Sequence, residues 1–273
     1  LKGRWSGSLK FFAAMLTHEY HTMREVEDRH WWYRALHGLV LGDLQASMGG
    51  KGPGGVEILD AGCGTGGLMA KIRRAKPEWR LTGVDLFEEA VAHTRSRGFE
   101  NVLRASVEQV PVKDESFDAV TSLDVLYHEG VDNDRAMAEL VRVLKPGGAI
   151  ILNLPAFASL SGRHDVAVSG VRRYRAGEVR AMLEAHGLKA RQLHYWNAWL
   201  FFPVWGWRRW SGKRQEAAQE NELGGEAKSD LGQLPGVVNT LLSGVTRLDM
   251  GLCRFFRWPF GISVYAMAVK PVN

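Results

Sequence analysis

The chain predicts an α/β protein built on a doubly wound, largely parallel sheet. Three observations carry the prediction. Short apolar runs of strand length alternate with helical runs from Val56 to Trp196, the pattern of a sheet covered on both faces. The first strand, Ile58-Leu59-Asp60-Ala61, ends in a glycine turn, Gly62-Cys63-Gly64-Thr65-Gly66-Gly67, and a helix follows at once. The chain is 273 residues long and 45% apolar, enough to bury a large core and carry an elaboration beside it.

The elements follow in order. Residues 18–48 read as helices, Tyr20–Trp32 and then Tyr33–Leu44, and the Gly/Pro-rich run 49–55 as a flexible linker. Val56–Ala61 is strand 1, with a helix to Ala75. Arg80–Leu86 is strand 2, Glu88–Arg97 a helix and Val102–Ala105 strand 3. Phe117–Val125 is strand 4 and Asp132–Leu144 a helix. Pro146-Gly147-Gly148 turns the chain into strand 5, Ala149–Leu154. Ala176–His186 is a helix stopped by Gly187, and Leu188–Trp196 is strand 6. The alternation then breaks. Ala198–Trp210 is apolar and aromatic, 211–233 is polar and reads as a mobile loop, and Pro235–Phe256 repeats apolar residues at helical spacing. Ile262–Val269 is a final strand. The expected division is an N-terminal helical segment over 1–55, a core over 56–197 with 261–273, and an aromatic-rich helical insertion over 198–260. No internal repeat is visible.

Composition narrows the function classes. Two cysteines, Cys63 and Cys253, make no disulfide framework, and no residues have metal-ligand spacing, so a reducing, cytoplasmic setting and no metal are expected. A net charge of +5 is too mild to argue for a nucleic-acid partner. No run is long and apolar enough for a transmembrane helix, and the apolar stretch Phe11–Leu16 is too short for a signal peptide.

The glycine turn is the main chemical signal. Glycines let the backbone turn sharply and approach a ligand, and the helix behind them offers unpaired N–H groups. Gly62, Gly64 and Gly67 fit the dinucleotide pattern G-x-G-x-x-G, and Asp85, about twenty residues on, stands where an acid grips ribose hydroxyls. Both facts fit NAD and S-adenosylmethionine alike. Asp60 separates them: a carboxylate there opposes a pyrophosphate and suits a sulfonium and an amino group. The loop also carries no Arg or Lys, and the chain has no Tyr-x-x-x-Lys pair.

Further motifs occur in order: Ala105-Ser106-Val107-Glu108 with Pro111, Phe117-Asp118-Ala119-Val120, and Leu144-Lys145-Pro146-Gly147-Gly148. With Ile58–Gly66 and Asp85, they resemble the class I S-adenosylmethionine-dependent methyltransferases of the small-molecule group, over residues 56–196 and the last strand. The resemblance implies a Rossmann-like sheet of seven strands in order 3-2-1-4-5-7-6, with strand 7 antiparallel. It implies S-adenosylmethionine as cofactor and S-adenosylhomocysteine as product. Asp60, Gly62, Cys63 and Gly64 would line the methionine half, Asp85 would hold the ribose, Leu86 would pack on adenine, and Ser106 and Val107 would meet its edge. Leu123 and Asp124 would sit under the cofactor. Some relatives carry an aromatic-plus-Arg N-terminal lid, so Tyr33 and Arg34 would close over it.

The acceptor side is less specified. Bases are expected on loops at the C-terminal edge of the sheet. His128 follows strand 4; His164 and Asp165 follow strand 5, ahead of Arg172-Arg173-Tyr174, which could orient an anionic or carbonyl-bearing acceptor, with Tyr174 as a further catalytic candidate. No Asn-Pro-Pro-Tyr or Asp-Pro-Pro-Tyr follows strand 4, against exocyclic-amine methylation of DNA bases or protein glutamine. Tryptophans and phenylalanines crowd into 196–210, bordered by Arg208, Arg209, Lys213 and Arg214. That composition suits a peripheral membrane contact through 199–214, a pocket for an apolar acceptor, or packing of this cluster on a second one, Phe255, Phe256, Trp258 and Phe260. The sequence therefore points to methyl transfer, O-methylation favoured, onto a small apolar or lipid-linked molecule. The alternatives are an NAD-dependent oxidoreductase and a non-catalytic scaffold. The expected location is cytoplasmic, including the inner face of a membrane.

Overall fold

The computed structural model describes residues 19–49, 55–162, 165, 170–218, 235–253 and 256–272, without the side chains of 211–218. One sheet holds seven strands in the order β3-β2-β1-β4-β5-β7-β6. They are β1 (Glu57–Ala61), β2 (Arg80–Asp85), β3 (Val102–Arg104), β4 (Phe117–Leu123), β5 (Leu144–Pro155), β6 (Lys189–Trp196) and β7 (Ser263–Val269). β1 to β5 pair in parallel, and β7 runs antiparallel between β5 and β6.

Alternate side chains of each strand feed opposite faces. Leu59, Ala61, Val120, Ile150 and Leu152 pack under α5 (Asn133–Val143) and α6 (Ala176–Ala185). Ile58, Ala119, Ala149 and Ile151 pack under α2 (Trp31–Met48), α3 (Gly67–Ala75) and α4 (Glu88–Ser96). Strands buried on both sides need near-continuous apolar runs, which is why they were legible. Asp132 caps α5, its carboxylate accepting from the N–H groups of Asp134 and Arg135 at 3.0 and 3.1 Å.

Between β6 and β7 stand α7 (Ala198–Ala218) and α8 (Gly236–Leu252). Asn239 ties α8 to the N-terminal region: its Oδ1 accepts from Trp31 N at 2.7 Å and its Nδ2 donates to Arg29 O at 2.7 Å. The two aromatic clusters meet, with Phe201 and Phe202 packed on Phe260 at ring separations of 5.2 and 5.0 Å. Among the described residues no helix is long and apolar enough to cross a membrane.

Five boundaries differ from expectation by more than a residue or two; two of them are the ends of α2, four residues past Leu44, and of α8, four residues short of Phe256. The first helix, α1, described over 19–26, stops at a turn over 27–29, and α2 starts at Trp31. The break lets the Glu27 side chain turn inward to Thr65 and Arg97. β5 starts five residues early because Leu144 already pairs with Phe117 before the glycine turn. Residues 211–218, expected to be loop, continue α7, while 219–234 lie outside the described residues.

Candidate active site

The strand order reverses between the parallel neighbours β1 and β4, and the loops leaving their carboxyl ends enclose a cavity of about 520 Å³. The glycine turn forms one wall. Gly62 sits at φ +84°, and a Cβ there would lie 2.2 Å from Val125 Cγ2, so the turn closes against the loop after β4 only with glycine. Gly62 N and Cys63 N both donate to Val84 O, at 2.7 and 2.9 Å. Gly64 N donates to Asp85 Oδ2 at 2.9 Å. Asp85 Oδ1 accepts from Phe87 N at 3.1 Å and from the Tyr20 hydroxyl at 3.4 Å. The acid at the end of β2 thus holds the glycine turn and faces the cavity.

α1 roofs this end. Met23 Cε would touch a Cβ on Gly64 at 3.0 Å. The Thr65 hydroxyl and the Arg97 guanidinium both donate to Glu27, and Arg97 also reaches Asp28 at 3.1 Å and Thr65 O at 2.7 Å. The Glu27 side chain is only 1% exposed and that of Arg97 8%.

The electrostatics of this end are acidic. Asp60 is buried and accepts from the Thr121 hydroxyl at 2.7 Å; burial pushes its carboxyl up to about 7. Burial raises Asp85 and Glu27 as well, and it keeps the Cys63 thiol well above its ordinary range, so no thiolate nucleophile stands there. Oε2 of Glu19 and Oε2 of Glu27 are buried without hydrogen-bond partners. Among the described lining residues the only lysine or arginine side chains are Arg173 and Arg208, which pair with Asp165. Carboxylates with unused acceptor capacity, with no lysine or arginine of the cavity lining beside the glycine turn, fit a sulfonium and an ammonium group and oppose a pyrophosphate; Arg97, behind the turn, is already engaged by Glu27 and Asp28.

After β4 the chain enters a strained turn. Asp124 has φ +53°, uncommon for a residue with a side chain. Both its oxygens accept from Asn153 Nδ2, at 3.0 and 2.9 Å, and Asn153 Oδ1 accepts from Trp196 Nε1 at 2.8 Å. The indole thereby fixes which way the amide points. Burial pushes the Asp124 carboxyl up to about 7.

Of the residues singled out in the sequence, Tyr33, Asp60, Gly62, Cys63, Gly64, Asp85, Leu86, Ser106, Val107, Leu123 and His128 all line the cavity. Arg34 does not. It is exposed, about a quarter-turn round α2 from Tyr33, with its carbonyl accepting from Lys71 Nζ at 2.9 Å. Tyr174 is buried outside the cavity lining, its hydroxyl donating to Leu126 O at 2.8 Å, which makes it a support for the loop after β4 rather than a catalytic group. His164 lies outside the described residues. Trp31 and Trp32 line the cavity and also pack on Trp199 and Trp196, at 6.2 and 5.8 Å.

Sequence reasoning missed Tyr20 and Glu27, whose partners Asp85 and Arg97 lie 65 and 70 positions away. Asp165, offered by the sequence as a candidate base, pairs instead with Arg173 and Arg208.

Comparison with known proteins points the same way. Residues 59–152 match the family model described as a methyltransferase domain. Those residues form a methyltransferase domain. A "Probable S-adenosylmethionine-dependent methyltransferase" of Mycolicibacterium smegmatis is 29% identical over 174 residues, covering 62% of this chain and 63% of that protein. A malonyl-acyl-carrier-protein O-methyltransferase of Serratia marcescens is 36% identical over 122 residues, covering 44% of this chain and 46% of that protein. The chain thus spans less than two thirds of either relative. Among solved structures, the cyclase SpnF superposes with a TM-score of 0.56 at 22% identity, covering 89% of this chain and 83% of that one. That last likeness is one of fold; a methyltransferase domain's chemistry has to be argued from its site.

Proposed function

We propose that this protein transfers a methyl group from S-adenosylmethionine to a small apolar or lipid-linked acceptor, with oxygen as the favoured methylated atom. One observation carries the donor half of the reading: the glycine turn is flanked by buried carboxylates with spare acceptor capacity and by no lysine or arginine of the cavity lining. The methyltransferase-domain match supports the same half and argues against the oxidoreductase and scaffold alternatives.

In this reading Asp85 holds the ribose hydroxyls and Asp60, Gly62, Cys63 and Gly64 line the methionine portion. Leu86, Ser106 and Val107 border the adenine, Leu123 lies beneath and Tyr33 above. Bound there, S-adenosylmethionine supplies an electrophilic methyl group on a sulfonium. The chain's own residues align the acceptor and exclude water, and alignment accounts for much of the acceleration of a direct displacement. A hydroxyl acceptor also gives up a proton, a step worth about 10²–10⁴-fold to a positioned base. Asp124 suits this role best: its carboxyl titrates near neutrality, faces the cavity and is held by Asn153. His128, on the same loop, is the second candidate.

The acceptor wall is apolar: Trp31, Leu160, Val204 and Ile262 line it. Outside it, Phe202, Trp207, Trp210, Leu241 and Leu248 of α7 and α8 are exposed, and Arg209 lies over Trp205 at 5.1 Å. Exposed tryptophan with arginine supports a peripheral membrane contact by this surface.

Titration calorimetry with S-adenosylhomocysteine tests the donor half. Binding by the wild type that is lost in Asp85→Ala is expected; no wild-type binding refutes it. A labelled-methyl transfer assay on lipid and small-molecule fractions, with mass spectrometry of the product, identifies the acceptor and the methylated atom.

A further inference from the structure

We propose that α8 is an inside-out helix whose outer face lies in the surface of an anionic lipid leaflet. The proposal deepens the peripheral-contact reading above and rests on it. It names the element that enters the lipid and the charge of the leaflet that receives it.

A helix on a protein surface turns its apolar residues inward and its polar residues to water. α8 does the reverse. The side chains it buries within its span are Ser243, Thr246 and Asp249, at 8%, 0% and 6% exposure. Asp249 Oδ2 accepts from Asn197 N at 2.6 Å, just before α7, and Asn239 holds Trp31 N and Arg29 O. On the opposite side Val237, Leu241, Val245, Leu248 and Leu252 recur every three or four residues, and all are exposed. Val237, Leu241 and Leu248 reach 74%, 65% and 65%. The stripe is about 22 Å long at the rise of an α-helix. Rotating α8 to hide it would strand Asp249 and Asn239 without their partners, so the inner hydrogen bonds hold the apolar face outward.

The apolar surface continues ring by ring into α7. Phe256, just beyond α8, meets Trp258, Trp258 meets Phe260 and Phe260 meets Phe202, at ring separations of 6.5, 6.0 and 5.0 Å. Phe256 and Phe202 are exposed. Val204, on the same helix as Phe202, lines the cavity. The lipid face and the acceptor wall are therefore two sides of α7, which suits an acceptor drawn from the leaflet. Contiguous apolar surface of this kind marks a protein or membrane interaction site.

Charge selects the occupant. Among the described side chains of 198–210, 236–253 and 256–262, the exposed charged residues are Arg209, Arg247 and Arg257, and the one carboxylate, Asp249, is buried. A second copy seated on this face about a two-fold axis would set the same cationic surface against itself, with no exposed acid there to pair it. An acidic phospholipid leaflet supplies both partners: an acyl boundary for the leucines and headgroups for the guanidiniums.

The test floats the full chain with vesicles of phosphatidylcholine alone or of phosphatidylcholine mixed with phosphatidylglycerol. Wild type, the pair Leu241→Asp and Leu248→Asp, the pair Arg247→Gln and Arg257→Gln, and Trp207→Ser are compared. Thermal unfolding midpoints near the wild-type value report intact folds; if the aspartate pair lowers its midpoint, Leu241→Ser with Leu248→Ser replaces it. Wild type is expected to bind the phosphatidylglycerol vesicles about tenfold or more tightly than the others. The leucine pair should lose about tenfold or more of that affinity, and the arginine pair about tenfold or more of the preference. Equal binding to both vesicles, or α8 variants that bind as wild type does, overturn the proposal. If Trp207→Ser alone then releases the vesicles, the peripheral contact stands on α7 without α8. Wild type that binds neither vesicle refutes the contact and the proposal together. A dimer in light scattering that the leucine pair splits, without vesicle binding, gives the face to a second copy and also overturns it. None of these outcomes bears on the methyl donor, which calorimetry tests separately.

Discussion

Replacing Arg97 with alanine should release α1 from the glycine turn. The Arg97 guanidinium links Glu27, Asp28 and Thr65 O, and it and Glu27 are almost wholly withdrawn from solvent. Removing it leaves the Glu27 carboxylate with the Thr65 hydroxyl as its remaining partner and Oε2 with none. Stripping one partner from a buried ion pair costs about 3–5 kcal/mol. Two routes relieve that cost. Glu27 can take up a proton, which burial already favours, or α1 can lift and return the carboxylate to water. Lifting exposes Val26, which is buried, and re-exposing one such side chain costs about 1.5–3 kcal/mol. The stranded charge outweighs that single contact, so the lifted state should gain about 10²–10³ in population at neutral pH, taking about 1.4 kcal/mol per tenfold. Amide hydrogen exchange over residues 19–30 reads the change directly, because exchange tracks local opening. Glu27→Gln is the control: it removes the buried charge, keeps a hydrogen-bond acceptor for Thr65, and should open far less. Unchanged exchange over 19–30 in Arg97→Ala, with or without a fall in the global unfolding midpoint, would show that the ion pair does not latch the roof.

Three further outcomes are expected. Asp60 titrates higher in the folded protein than in the unfolded chain, so its contribution to stability is complete below pH 3.8 and is lost as pH rises through about 7; on the order of 4 kcal/mol is at stake. Urea midpoints of wild type should therefore fall from pH 5 to pH 7.5 more than those of Asp60→Asn, and parallel profiles would contradict this. Gly62→Ala combines a left-handed backbone with a Cβ placed against Val125, and it should destabilise by about 2–5 kcal/mol in equilibrium unfolding; a loss under about 0.5 kcal/mol would show that the turn yields freely. Tyr174→Phe should cost about 1 kcal/mol of stability through its lost bond to Leu126 O and leave methyl transfer near the wild-type rate, whereas loss of transfer with stability retained would restore a catalytic role.

The parts of the fold that were legible are those written locally. β1, β4 and β5 are short apolar runs because both faces are buried, and the glycine turn needs its residues side by side. Residues at strand ends, such as Asp60, Asp85 and Leu123, inherit their place from the strands. What the sequence hid is set by contacts over long separations. Glu27 meets Arg97 seventy positions away, and Asp165 meets Arg208 forty-three away. Helical periodicity runs unbroken through 27–30, so the break that turns Glu27 inward leaves no local mark. Tyr33 and Arg34 could not be told apart, since which side of α2 faces the cavity depends on how the helix docks. The polar stretch 211–218 was read as loop by its composition, although Lys, Arg, Gln, Glu and Ala are all good helix formers.

The hydrogen-bond chain from Trp196 through Asn153 to Asp124 has a consequence for how such a protein can diversify. Trp196 ends β6, immediately before the insertion, whereas Asp124 follows the central strand β4. The insertion is therefore anchored at its root to a buried carboxylate of the cavity lining. Sequence drift farther out along α7 and α8 can reshape what the cavity admits while Trp196, Asn153 and Asp124 hold their register. A chimera that exchanged 198–260 for another insertion should keep its donor chemistry as long as the indole at 196 is retained. An exchange that included 196 would free the Asn153 amide to turn, and the Asp124 carboxylate would lose its fixed aim.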